Sequence, residues 1–131
     1  MCILLLVDDS RTLRKLVRRE LERSDLELEA ILEAESATNA LDVLAQNPDV
    51  SLVLSDVNMP GASGFELVRA LRRRSASRDL PIVLLTTERE ELAMREVDEL
   101  IQGFLRKPVE ARELSLVLAP LLAPPEGERA A

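Results

Sequence analysis

LVLSDVNMPGASGFELVRALR, residues 52–72, decides the fold. Its first residues, Leu52–Ser55, form a short run of Val and Leu, the pattern of a strand covered by helices on both faces. Asp56 ends that run. After Gly64, residues Leu67, Val68 and Leu71 recur at helical spacing and predict an inward face. Arg72, Arg73 and Arg74 close the helix, where cations suit the negative end of its dipole. A strand, an acid and a helix in that order make one βα unit.

The same unit repeats on either side. Strands are predicted at Ile3–Val7, Glu29–Leu32, Ile82–Leu85 and Phe104–Arg106, the second charged enough for a sheet edge. A first helix starts from Ser10 as N-cap and turns Leu13, Leu16, Val17 and Leu21 inward. A second covers 37–46, with Ala40, Leu41 and Leu44 inward and Asn47–Pro48 as its stop. A fourth is predicted from about Glu90 to Leu100, with Ala93, Val97, Leu100 and Ile101 on one side and Glu88, Glu90 and Glu91 at its start. A fifth follows Pro108 and carries Leu114, Val117, Leu118 and Leu121 on one face; Pro120 should end or kink it. The fold class is α/β, a doubly wound parallel sheet. One domain is expected over residues 1–122, followed by a flexible tail over 123–131.

Composition narrows the function. The chain has 131 residues, which suits a single domain. A net charge of −7 argues against direct nucleic-acid binding, which needs a basic face, and against an anionic membrane surface. With no histidine, imidazole-based acid–base catalysis and imidazole zinc ligands are excluded. The single cysteine, Cys2, cannot form an intrachain disulfide and fits a reducing cytoplasm. The apolar start, Cys2–Val7, is too short to span a membrane or to serve as a signal peptide, so no membrane insertion is expected.

The polar residues fall at one kind of place. Asp8 and Asp9 follow strand one, Asp56 ends strand three, Thr86 follows strand four and Lys107 follows strand five. All are at carboxyl ends of strands, where open α/β sheets build their sites. Any one of them could be a cap or turn residue; together they suggest a site. If strands one and three are neighbours, three carboxylates converge and repel. A hard divalent cation such as Mg²⁺ offsets that best. A cation, a carboxylate nucleophile, a lysine and a hydroxyl suit phosphoryl transfer.

At LLLVDDS (4–10), LVLSDVNMPGASGFELVRALR (52–72), PIVLLTT (81–87) and FLRKP (104–108) the chain resembles the receiver domains of two-component response regulators, over about residues 1–122. The resemblance implies a flavodoxin-like (βα)₅ fold with strand order 2-1-3-4-5. It implies that Asp56 is the phosphoacceptor, and that Asp8, Asp9, Asp56 and the backbone carbonyl of Asn58 hold Mg²⁺. It implies that Lys107 pairs with the phosphoryl oxygens across a Lys107–Pro108 peptide that is often cis, and that Thr86 and Phe104 are the switch pair. Asn58, Glu88 and Thr87 would control dephosphorylation. Two features depart from the family pattern. Thr87 stands where Ala or Gly is common, and LIQG before Phe104 is one residue short of the usual turn.

The implied partners are a histidine kinase or a histidine phosphotransfer protein and, through the surface from the fourth helix to the fifth, a downstream target protein. The protein would be a monomer or a phosphorylation-dependent dimer. Arg14, Lys15 and Arg18 are candidates to dock an acidic patch on the kinase. A stand-alone chemotaxis-type regulator, catalysing only its own phosphorylation and dephosphorylation, is the leading expectation. The alternatives are a receiver excised from a longer multidomain regulator, a phosphorelay intermediate, a docking module without phosphorylation, and an aspartate-nucleophile phosphatase. The last would carry a second Asp two residues after Asp56, where this chain has Asn58.

Overall fold

In the computed structural model, residues 2–122 are described, and the expected tail over 123–131 lies outside them. Five parallel strands, β1 (Ile3–Val7), β2 (Ala30–Ala34), β3 (Leu52–Asp56), β4 (Ile82–Thr86) and β5 (Gly103–Arg106), form one sheet in the order β2-β1-β3-β4-β5. Three α-helices, α1 (Arg11–Arg23), α2 (Ala37–Gln46) and α3 (Gly64–Arg73), connect the first four strands, and α4 (Ala111–Leu122) follows β5. The charged second strand lies at the edge, as its composition predicts.

Alternation along the strands divides the core in two. Leu5, Val7, Val53, Ile82 and Leu84 face the cluster under α2 and α3, whereas Leu4, Leu6, Leu52, Leu54, Val83 and Leu85 face the cluster under α1 and α4. Both faces are apolar because helices cover both. Ser10, Ser36 and Ser63 cap α1, α2 and α3, each side-chain oxygen accepting a backbone N–H three residues on.

The structure corrects the expected fourth helix. Residues Glu88–Glu96 and Asp98–Leu100 are 3₁₀ helices. Burial there has a period of three: Met94 and Val97 are buried and Glu91 and Leu100 half-buried, while the predicted Ala93 is exposed. A 3₁₀ helix rises about 2.0 Å per residue against 1.5 Å for an α-helix. A connection one residue short can therefore still cross the sheet face. Arg72 of α3 secures its far end by donating to the Leu100 carbonyl at 2.8 Å and to Gln102 Oε1 at 3.0 Å.

The first helix is also less buried than its pattern suggests. Val17 and Leu21 are buried, but Leu13 and Leu16 are 39% and 50% exposed. They line an open cavity of about 430 Å³ with Leu85 and the β5–α4 turn, because α4 covers only one flank of α1. In α4, Leu114 and Leu118 are buried, and Pro120 lies inside the last turn without ending the helix before Leu122.

Candidate functional site

Pairing β1 with both β2 and β3 brings the ends of strands one and three side by side. Asp8, just beyond β1, and Asp56, the last residue of β3, are both buried, while Asp9 is exposed at the rim. One carboxylate oxygen from each of the three lies within 4.8 Å of the others. The strand order thus brings together the three acids that the sequence places at the ends of strands one and three.

Each acid is held differently. Asp8 Oδ1 accepts the Ser10 N–H at 2.9 Å, while Asp8 Oδ2 is buried without a hydrogen-bond partner. Asp56 Oδ1 has no partner except the Lys107 ammonium, with which it forms an ion pair. Lys107 follows β5 directly, and the Lys107–Pro108 peptide is cis. Burial raises both the Asp8 and Asp56 carboxyls above the ordinary aspartate range. The Ser10 N–H opposes this at Asp8, and Lys107 opposes it at Asp56. Anionic carboxylates this close, with one buried oxygen left unpartnered, make a donor set for a hard divalent cation.

The loop after Asp56 is set by two glycines. Gly61 has φ of +81°, a left-handed conformation that glycine adopts without strain. Gly64 packs so close that a Cβ there would stand 2.3 Å from the Asp56 carbonyl oxygen. The start of α3 is therefore pressed against the backbone of Asp56, and Met59 is buried beneath the loop.

An open cavity of about 460 Å³ joins these parts, and Asp9, Asp56, Asn58, Thr87, Glu90 and Lys107 are among its lining residues. Glu88 is exposed and is not among them, whereas Glu90 is. Glu90 is there because Thr87 and Glu90 form a capping box. Glu90 Oε1 accepts the Thr87 N–H at 2.8 Å, and the Thr87 side chain accepts the Glu90 N–H. Sequence reading missed Glu90, although T-x-x-E at 87–90 is the signature of that cap.

The expected switch pair is split. Thr86 is buried at the end of β4, its hydroxyl donating to the Thr87 carbonyl at 3.0 Å. Phe104 of β5 is 44% exposed, its ring turned outward. The three candidate docking cations also part company. Arg14 and Arg18 both pair with Glu33 of β2, at 2.9 and 3.0 Å, and Lys15 alone of the three is exposed.

Comparison with known proteins agrees with this geometry. A family profile described as the response regulator receiver domain matches residues 4–119. The chain is 35% identical over 129 residues to a chemotaxis protein CheY homolog of Campylobacter jejuni, covering 98% of each. It is 40% identical over 85 residues to chemotaxis protein CheY1 of Helicobacter pylori, covering 65% of this chain and 67% of that protein. Among solved structures, the chemotaxis response regulator CheY4 of Vibrio cholerae aligns with a TM-score of 0.78 at 34% identity, over 93% of this chain and 99% of that one. A response regulator from Chloroflexus aurantiacus aligns with a TM-score of 0.82 at 28% identity, over 94% and 98%. Receiver domains bind Mg²⁺ at an acidic pocket, and CheY-like regulators interact with kinases and downstream targets. No helix among the described residues is long and apolar enough to cross a membrane. By profile, relatives and strand-end acids alike, the chain belongs to the response regulator receiver family, the phosphorylation-switched signalling modules of two-component systems.

Proposed function

We propose that Asp56 accepts a phosphoryl group from a phosphohistidine on a partner kinase or phosphotransfer protein, and that residues 1–122 act as one receiver domain in the cytoplasm. An Asp56 carboxylate oxygen attacks phosphorus, the bond to the donor breaks, and the imidazole leaves with its electron pair. Asp8, Asp9, Asp56 and the Asn58 carbonyl would hold Mg²⁺, which neutralises charge on the transferring group. Lys107 stabilises the phosphoryl oxygens from the other side. The hydroxyl of Thr86 leaves the Thr87 carbonyl for the new anion, a stronger acceptor, and Phe104 turns inward. The surface from the 3₁₀ segment through β5 to α4 then changes its affinity for a target protein. Turnover is confined to the protein's own acyl phosphate, whose lifetime is set by Asn58, Thr87 and Glu88.

One observation carries this reading: the ion pair of Lys107 with Asp56 beside two further carboxylates. With Mg²⁺ and acetyl phosphate the protein should gain a single phosphoryl group, labile to base and visible by mass spectrometry. Asp56→Asn should abolish it, since an amide is a poor nucleophile. An unchanged mass gain in that variant would overturn the assignment.

A further inference from the structure

Asp8 has four polar atoms, and three of them are tied down. Its N–H donates to the Ala34 carbonyl at 3.0 Å, and its Oδ1 accepts the Ser10 N–H at 2.9 Å. Its carbonyl oxygen accepts a bond from Arg14 Nη1 at 2.6 Å. Only Oδ2 is left, buried and unpartnered. The third tie comes from a long side chain that is itself held. Arg14 Nε donates to Glu33 Oε1 at 2.9 Å, and the Arg14 side chain is only 13% exposed. The second Glu33 oxygen accepts from Arg18 at 3.0 Å, and the same Arg18 nitrogen donates to the Ile31 carbonyl at 3.0 Å. A chain of charge-assisted bonds thus runs from edge strand β2, through two turns of α1, to the main chain of Asp8.

We propose that Arg14 and Glu33 are positioning residues for the cation site: Glu33 holds the Arg14 guanidinium, which holds the Asp8 carbonyl, and this strut fixes the direction of Asp8 Oδ2. The inference rests on the proposed cation site. A planar guanidinium suits the task because it can bind a carboxylate and a carbonyl at once from a fixed fork. Groups behind a metal ligand commonly change metal affinity by tenfold or more when removed.

Charge and positioning predict opposite results at Arg14. As a nearby cation it repels a bound cation, so removing its charge alone would tighten Mg²⁺ binding. Removing the strut would weaken it. The test is Mg²⁺ binding by isothermal titration to the whole chain, well below the melting temperature of each variant. Arg14→Ala should raise the Mg²⁺ Kd about tenfold. Arg11→Ala, which removes a cation from the same helix without a strut, should leave it unchanged or lower it. Glu33→Gln should weaken binding several-fold in the wild-type background and add nothing to Arg14→Ala, since it acts through Arg14. Arg14→Lys, which keeps the charge but cannot reach both partners, should also bind Mg²⁺ more weakly than wild type.

An Arg14→Ala protein with unchanged or tighter Mg²⁺ binding overturns the strut. So does an equal Glu33→Gln effect in both backgrounds, the mark of a field acting directly. If Arg14→Ala fails to fold, Arg14→Lys and Glu33→Gln decide alone: wild-type Kd in both overturns the strut. Wild type that takes up no Mg²⁺ overturns the cation site itself, a result distinct from wild-type binding that the variants leave untouched.

Discussion

The two flanks of the site are built differently. On the β1–β3 flank, strands with fully buried leucines end in buried Asp8 and Asp56, and three α-helices with serine caps surround them. On the β4–β5 flank one face of the sheet is covered by α4 but the other only by short 3₁₀ turns, where Leu92 is 78% exposed, and Phe104 is 44% exposed. Low burial and imperfect backbone hydrogen bonds mark the parts of a protein that open most easily. The difference teaches where a rearrangement would cost least: not among the acids at the ends of β1 and β3, but in the 3₁₀ layer beside Phe104.

The largest expected effect probes that contrast directly. Leu54→Ala, in the fixed flank, should cost about 2–5 kcal/mol in urea unfolding, the usual range for a fully buried leucine. Leu92→Ala should change stability by less than about 0.5 kcal/mol. A loss above about 2 kcal/mol at Leu92 would erase the distinction between the flanks.

A smaller effect sharpens it through charge. Burial raises the folded-state pKa of Asp8 and Asp56, so between the ordinary carboxylate range and those raised values the folded protein binds more protons than the unfolded chain. Stability without metal should therefore fall as pH rises through that window. Asp8→Asn keeps the acceptor for the Ser10 N–H and removes the charge. In EDTA at pH 7 it should melt higher than wild type by a few degrees, roughly the shift 1 kcal/mol gives at this size. A lower melting temperature would mean that the charge is satisfied from within the fold.

The smallest effect concerns the acyl phosphate. Asn58 follows the fixed strand, and Thr87 and Glu88 open the softer segment. Asn58→Met should slow decay several-fold after donor removal, by taking away a group that can orient water. Thr87→Ala should quicken it by opening the approach. Glu88→Lys should have the least effect, since Glu88 lies outside the cavity lining. Decay that responds most to Glu88 would place the water path along the 3₁₀ segment instead.

How much was legible follows the same division. Asp8, Asp9, Asp56, Thr86 and Lys107 could be placed at strand ends because each follows or ends an apolar run, whereas the strand order came only with the resemblance to receiver domains. Helix 37–46 was legible to its boundaries, with Asn47–Pro48 as its stop, and the structure adds Ser36 as its cap. The fourth helix was not, because acids followed by spaced apolar residues fit periods of 3.6 and 3.0 about equally over one or two turns. Leu13 and Leu16 looked inward because periodicity tells which face is apolar, not how much of it a neighbour covers. The bonds from Arg14 to Glu33 and Asp8 were hidden for another reason. They join a helix to two strands, and only register brings Glu33 opposite Leu6 at the end of β1.

The contact of Gly64 with Asp56 also sets which mutations this chain can survive. Every single-base change that alters a glycine codon to another amino acid adds a Cβ. At Gly64 that atom would meet main chain on two residues, at 2.3 Å from Asp56 oxygen and 2.9 Å from Val57 Cα, neither of which can swing aside. At Gly61 the space is open and only the left-handed φ resists, while at Gly103 the nearest atom is a Val117 methyl at an ordinary 3.7 Å. In a saturation library scored for phosphorylation, these three glycines should thus form a graded series. Position 64 would tolerate no replacement, position 61 a few such as Asn, and position 103 small side chains.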